Sequence, residues 1–132
     1  MEQNKLKLED CCLTMYQAKE LQELGVYMNN TQMVILQDNR IVPTYISEID
    51  EFFDLCRYDT PTLTNTEMLE MLPKEIDGYK LTFVYDYFRN GDDKYYIGYL
   101  KTYSAPLKEL ESTLLRNSLF GMIKWLKINK LM

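Results

Sequence analysis

The sequence contains no histidine. Without it, Ser-His-Asp and Cys-His nucleophilic catalysis are excluded, as are metal sites that use imidazole. Nothing else titrates near neutrality unless a carboxylate, lysine or cysteine is strongly perturbed. Cysteine is scarce too, with only Cys11, Cys12 and Cys56 present. Neighbouring cysteines pair poorly, and an odd count with no Cys-x-x-Cys does not draw a zinc site. Reduced, partly buried thiols are therefore expected, in keeping with a cytoplasmic protein. A thiol at Cys11 or Cys12, just ahead of a helix, is a candidate reactive group, but no base or partner accompanies it. Only five glycines and four prolines occur, too few for a disordered or low-complexity chain.

Long apolar runs are missing as well. Residues 119–123, LFGMI, stop at Lys124, so no membrane span and no membrane contact are expected. The opening MEQNKLKLEDCCL has no apolar segment, so a secretory signal is not expected and the Asn29-Asn30-Thr31 sequon is idle. Gly-x-x-x-x-Gly-Lys-Ser/Thr, Gly-x-Gly-x-x-Gly and Gly-x-Ser-x-Gly patterns are all absent, and so is any basic run. These absences lead to the expectation of a non-enzymatic protein with no catalytic residues, no cofactor and no metal.

What is present suits one soluble domain spanning residues 1–132, with 1–12 a loosely ordered N-terminal segment. The hydrophobic share is 46% and the charged share 27%, ordinary values for a globular chain that can bury a core. Net charge is −5 but unevenly distributed. Residues 1–78 hold 15 acidic and 6 basic side chains, net −9, whereas residues 79–132 hold 5 and 9, net +4. Such a division marks a partner surface or lets two parts of one fold attract each other.

Thr14 with Gln17 forms a capping box, Leu13 and Ala18 a hydrophobic staple, and Gly25 a left-handed stop, which predicts a helix over 14–24. VYM (26–28) and MVILQ (33–37) read as short strands around the turn-rich NNTQ. Ile41-Val42 adds a third, ended by Pro43, which makes a small antiparallel meander. A helix is predicted from Thr44 or Ser47 to about Tyr58, with Ile46, Ile49, Phe52, Phe53 and Cys56 on its apolar face. Thr64 with Glu67 caps a short helix through Leu72, and Pro73 ends it. Residues 80–88 and 94–102 form a hairpin around Asn90-Gly91. Last comes a long helix from about Pro106 to Asn129, with Glu109 and Glu111 near its positive end and lysines near its negative end. Leu110, Leu114, Leu115, Leu119, Met122, Ile123 and Leu126 make its apolar stripe. The fold class expected is α+β, a small antiparallel sheet with helices packed on one face.

Seven of the twenty residues in LTFVYDYFRNGDDKYYIGYL (81–100) are Phe or Tyr. A two-residue turn at Asn90-Gly91 and a four-residue loop both put Leu81, Phe83, Tyr85 and Tyr87 with Tyr96, Gly98 and Leu100 on a core face. The second face then holds Thr82, Val84, Asp86 and Phe88 with Tyr95, Ile97, Tyr99 and Lys101. Tyrosine suits a half-buried sheet, because its ring packs while its hydroxyl stays wet. Tyr95, Tyr99 and Lys101 are the candidate ligand face, for a small ligand or single-stranded nucleic acid. Asp86, Asp92 and Asp93 stand beside the basic residues, and no RNP-like string occurs, so nucleic acid is not favoured. Gly91-Asp92-Asp93 is similar to the metal-binding turn of RNA polymerases, but the chain is far too short for one, and turn chemistry accounts for it.

Two stretches are candidates for protein docking. Glu48, Asp50, Glu51 and Asp54 crowd one helix as a solvated acidic face, of which Glu48, Glu51 and Asp54 are the docking candidates. The segment LFGMIKWLKINKLM is amphipathic and basic and carries the single tryptophan. Its Lys124, Trp125 and Lys127 are the docking candidates there, beside the plainer role of a core helix with a lysine-rich last turn. A protein partner or a homo-oligomer is expected.

LTMYQAKELQELG, the VPTY that follows the short strands, TLTNTEMLEMLP and LLRNSLFGMIKWLKINKLM together resemble small uncharacterised proteins of gut Bacteroidales genomes, their prophages and other mobile elements. Those proteins share a YxQAxxLxxLG opening, an LPxxI segment before a β-hairpin, and a closing helix with a Trp-Leu pair. Where their second helix carries a Trp-Leu or Trp-Arg pair, this chain has Phe52-Phe53 and later Arg57. The resemblance implies an accessory protein of a phage or mobile element and assigns no site residues.

Overall fold

The computed structural model describes residues 10–28, 31–36, 40–43, 60–86 and 94–132. Their packing forms two compact units, Met1–Glu67 and Met68–Met132. The described residues hold three helices and two small antiparallel sheets. The fold class is α+β, as the alternation of hairpin and helix signals predicts, with the strands divided between two sheets.

In the first unit, α1 (Met15–Glu23) begins where the sequence places it. The Gln17 backbone N–H donates to Thr14 Oγ1 at 3.2 Å and the Thr14 N–H donates to Gln17 Oε1 at 3.0 Å. Leu13 and Ala18 are fully buried, as a staple requires, and Gly25 follows the helix at φ 92°, a left-handed stop. The three-stranded sheet has the order β2-β1-β3, with β1 Met33–Ile35, β2 Ile41–Pro43 and β3 Thr60–Thr62.

The meander differs from the expected one in two ways. VYM (26–28) forms no strand; Val26 and Met28 are instead buried along an irregular segment leaving α1. The third strand is Thr60-Pro61-Thr62, paired to β1 with Val34 opposite Pro61. Pro43 lies inside β2, opposite Met33, rather than ending it. Both prolines are tolerated because β2 and β3 are edge strands, where a missing N–H can face away from the ladder. The fully buried Thr62 donates its hydroxyl to the Leu13 carbonyl at 2.8 Å, which ties β3 to the entry of α1. The expected helix over residues 44–58 lies outside the described residues.

The boundary between the units falls within α2 (Asn65–Met71). Its capping box is formed as predicted: Glu67 N–H donates to Thr64 Oγ1 at 3.1 Å, and Thr64 N–H to Glu67 Oε1 at 3.0 Å. In the second unit the sheet order is β4-β5-β6-β7, with β4 Glu75–Ile76, β5 Tyr79–Asp86, β6 Lys94–Leu100 and β7 Lys108–Ser112. Asp77 and Gly78 turn β4 into β5 with φ of 51° and 87°.

Two sequence readings are corrected here. The first concerns Lys108–Ser112, which is a strand and not the opening of a long helix; α3 runs only from Leu115 to Ile128. The physical reason is visible in KELES: Glu109 and Glu111 alternate with Lys108, Leu110 and Ser112, and only the glutamates are exposed, a period of two. The second concerns register. Leu81 pairs with Tyr99, Phe83 with Ile97, and Tyr85 with Tyr95. Asp86 opposite Lys94 leaves seven residues between them, an odd number, whereas a two-residue turn in an unbulged ladder needs an even one. That slip of one residue exchanges the β6 side chains between faces: Tyr95, Ile97 and Tyr99, not Tyr96, Gly98 and Leu100, share a face with Leu81, Phe83 and Tyr85.

Helix α3 covers the face that holds Ile97, Tyr99, Leu110 and Ser112. Leu119, Met122, Ile123 and Leu126 are fully buried on it, each contributing roughly 1.5–3 kcal/mol relative to exposure. Gly121 lets the helix approach closely, since a Cβ there would stand 3.0 Å from Leu110 Cδ1. The β6–β7 connection, residues 101–107, is exposed throughout. Its base is closed by Leu107 N–H to the Tyr99 carbonyl at 2.9 Å, and Ser104 N–H bonds the Lys101 carbonyl at 3.1 Å. Tyr103 within it has φ 62°, a costly conformation for an aromatic residue.

Candidate functional site

The observed register brings Phe83 and Tyr85 from β5 onto the same face as Tyr95 from β6. Phe83 and Tyr95 stack with centroids 6.5 Å apart and planes 18° apart. Tyr85 and Tyr95 lie 4.9 Å apart at 35°. Such aromatic pairs across a ladder each contribute a few tenths to about 1 kcal/mol beyond area burial. The cluster is nevertheless wet: Phe83 is 44% exposed and Tyr85 48%. Val84, between them on the opposite face, is 46% exposed. Three successive large apolar side chains thus reach solvent along one strand.

The cluster adjoins α3, which covers this same face of β6 and β7. Ser118 on α3 donates its hydroxyl to the Tyr95 carbonyl at 2.8 Å. Ser112 on β7 lies 2.5 Å from the Ser118 oxygen and donates to the Leu114 carbonyl at 2.6 Å. Two serine hydroxyls therefore clip the start of α3 to β6 and β7 under Tyr95.

The opposite face carries different chemistry. Tyr96 lies across Gly98, where a Cβ would meet the Tyr96 oxygen at 2.5 Å, and its hydroxyl donates to Glu109 Oε2 at 2.8 Å. Burial first, then the hydrogen bond and charge of Glu109, push this phenol from the ordinary 10.0 up to about 12. Lys94 pairs with Glu111 at 3.2 Å, a half-exposed ion pair contributing little.

The predicted ligand face is not assembled. Tyr99 is fully buried, its hydroxyl donating to the Pro73 carbonyl at 2.7 Å. Lys101 stands over the Tyr79 ring, Nζ 5.6 Å from the centroid. Only Tyr95 of that trio borders the exposed aromatics. Of the docking candidates on α3, Trp125 faces the sheet under Lys108, whose Nζ lies 6.0 Å from its ring, while Lys124 lies over Phe120 at 5.9 Å. Lys127 is half-buried in the last turn. Glu48, Glu51 and Asp54 lie outside the described residues. Cys12 is buried and Cys11 half-buried.

Phe83 and Tyr85 were assigned to the core by a turn-based register. They do share the Ile97 and Tyr99 face that α3 covers; they remain exposed because among the described strands β5 has a neighbour on its outer side only at Tyr79 and Lys80. Among the described residues, no group of three or more Cys, Asp or Glu could hold a metal ion, and no helix is long and apolar enough to cross a membrane. In comparisons with protein-family models, curated proteins and solved structures, none matches the chain.

Proposed function

We propose that the chain is a non-enzymatic accessory protein, of the kind carried by phages and mobile elements, that acts by binding another protein or a second copy of itself. The observation that supports this most is the run Phe83-Val84-Tyr85, exposed on both faces of one strand and backed by Tyr95. Contiguous exposed apolar surface on a soluble chain is costly unless a partner covers it, and rigid aromatics are favoured anchors in protein interfaces. The lack of histidine points the same way. Binding to single-stranded nucleic acid is the weaker reading, because stacking platforms combine aromatics with a basic groove. Here Lys101 and Lys108 each stand over another ring.

The test is a tagged pull-down from host lysate, with and without nuclease, at low and moderate salt, using wild type and Phe83→Ala/Tyr85→Ala. A stoichiometric protein, or untagged copies of the chain itself, retained after nuclease and lost in the variant, is the expected result. Capture that vanishes with nuclease would move the function to nucleic acid.

A further inference from the structure

The sheet edges of this protein are not treated alike. In the three-stranded sheet the two edge strands, β2 and β3, each contain a proline, Pro43 and Pro61. In the four-stranded sheet, β7 presents Lys108, Glu109 and Glu111 along its edge. Proline and charge are the usual means by which edges are kept from pairing with another chain. β5 is the exception. Its neighbour β4 pairs only with Tyr79 and Lys80, and the Leu81 N–H bonds the Lys74 carbonyl. Beyond that point, no described strand lies along Thr82–Asp86 on the side away from β6, and Thr82-Phe83-Val84-Tyr85 contains neither proline nor charge.

We propose that this edge pairs with the same edge of a second copy of the chain, antiparallel, about a two-fold axis at Val84. This inference rests on the interaction reading above and names its partner. A two-fold axis normal to the sheet keeps each face continuous, so paired residue numbers must sum to an even value. Centring on Phe83 would place the second strand where Lys74 and Glu75 already lie. Centring on Val84 uses only Thr82–Asp86. It sets Phe83 opposite Tyr85 of the second copy, Val84 opposite Val84, and Thr82 opposite Asp86. Every exposed apolar residue then gains an apolar neighbour, and no like charges meet. The alternative symmetric contact, β7 against β7, brings glutamates of the two copies together, which is destabilising. The parity of Leu81, whose N–H points away from β6, makes the Val84 pair a non-hydrogen-bonded one with Cα atoms about 4.5 Å apart.

The experiment is sedimentation of the purified chain over a wide concentration range, with Val84→Glu, Val84→Lys and their equimolar mixture. Wild type is expected to be dimeric. Each charged variant alone is expected to dissociate roughly a hundredfold more readily, because like charges meet on the axis. The mixture is expected to restore a dimer. Val84 is half-exposed, so circular dichroism and melting should barely change, separating lost assembly from lost folding. In addition, Val84→Cys should cross-link under mild oxidation where wild type, with its own thiols, does not, since the Cα spacing fits a disulfide. A monomeric wild type, or a dimer indifferent to both charges, overturns the pairing. A monomer that still captures a different protein would leave the interaction reading standing, whereas a monomer that captures none would remove both.

Discussion

Tyr99 shows how much one side chain can organise. Its ring sits fully buried in the second unit, and its hydroxyl holds the Pro73 carbonyl that precedes β4. Replacing it by phenylalanine keeps the ring but orphans that carbonyl, at a cost of about 1–3 kcal/mol, measurable as a lower melting temperature. The pH dependence has a definite sign. Burial pushes the Tyr99 phenol up to about 12, against 10.0 in the unfolded chain. Below pH 10 both states hold the proton and stability does not depend on this group. Between about 10 and 12 the unfolded state releases a proton that the folded state keeps, so stability falls as pH rises. Melting curves across that window should drop more steeply for wild type than for Tyr99→Phe; parallel curves would remove the argument.

Among the elements, α3 and β7 make the most exacting contact. Gly121 faces Leu110 with room for little more than a hydrogen. Gly121→Ala sets a gain in helix propensity of about 1 kcal/mol against a slight overlap, so its melting temperature should stay close to wild type. Gly121→Leu should cost roughly 1–3 kcal/mol by pushing the helix off the sheet. Gly98→Ala on β6 forces Tyr96 away from Glu109, and the high titration of that phenol should move back toward 10, visible in an ultraviolet titration of the phenolate band.

The capped helices were legible because caps act within four residues: Thr14 with Gln17 and Thr64 with Glu67 each complete their bonds locally. β7 was misread because Leu110, Leu114 and Leu115 also fit a helical stripe, and only pairing to β6, a tertiary event, selects the strand. The Asn90-Gly91 signal placed the hairpin but not its register, which long-range packing against α3 decides. The one-residue register error hid Tyr95 as the partner of Phe83 and Tyr85, whereas the exposure of those two follows from their place on the outer side of β5, which no local signal reports. Thr60–Thr62, with proline at its centre, carries no strand signature at all.

For the whole molecule, charge is the feature with the longest reach. The net −9 of residues 1–78 and +4 of residues 79–132 should steer association of the chain with its partners. Neutralising Glu48, Glu51 and Asp54 together is expected to slow association severalfold at low salt. It should have little effect near 1 M, where the screening length is about 3 Å. Stopped-flow rates at the two salt levels decide the matter, and equal effects at both would remove the electrostatic contribution.

The β6–β7 connection offers a practical handle. Residues 101–107 stand clear of the sheet, hold their base with their own backbone, and keep Tyr103 in a conformation it does not favour. A short glycine-serine insertion carrying a fluorophore between Tyr103 and Ser104 would relax that residue and leave the strands on either side intact. The molecule therefore carries its own labelling port, at the far end of β6 from Tyr95, through which assembly can be watched without touching the strand that would assemble.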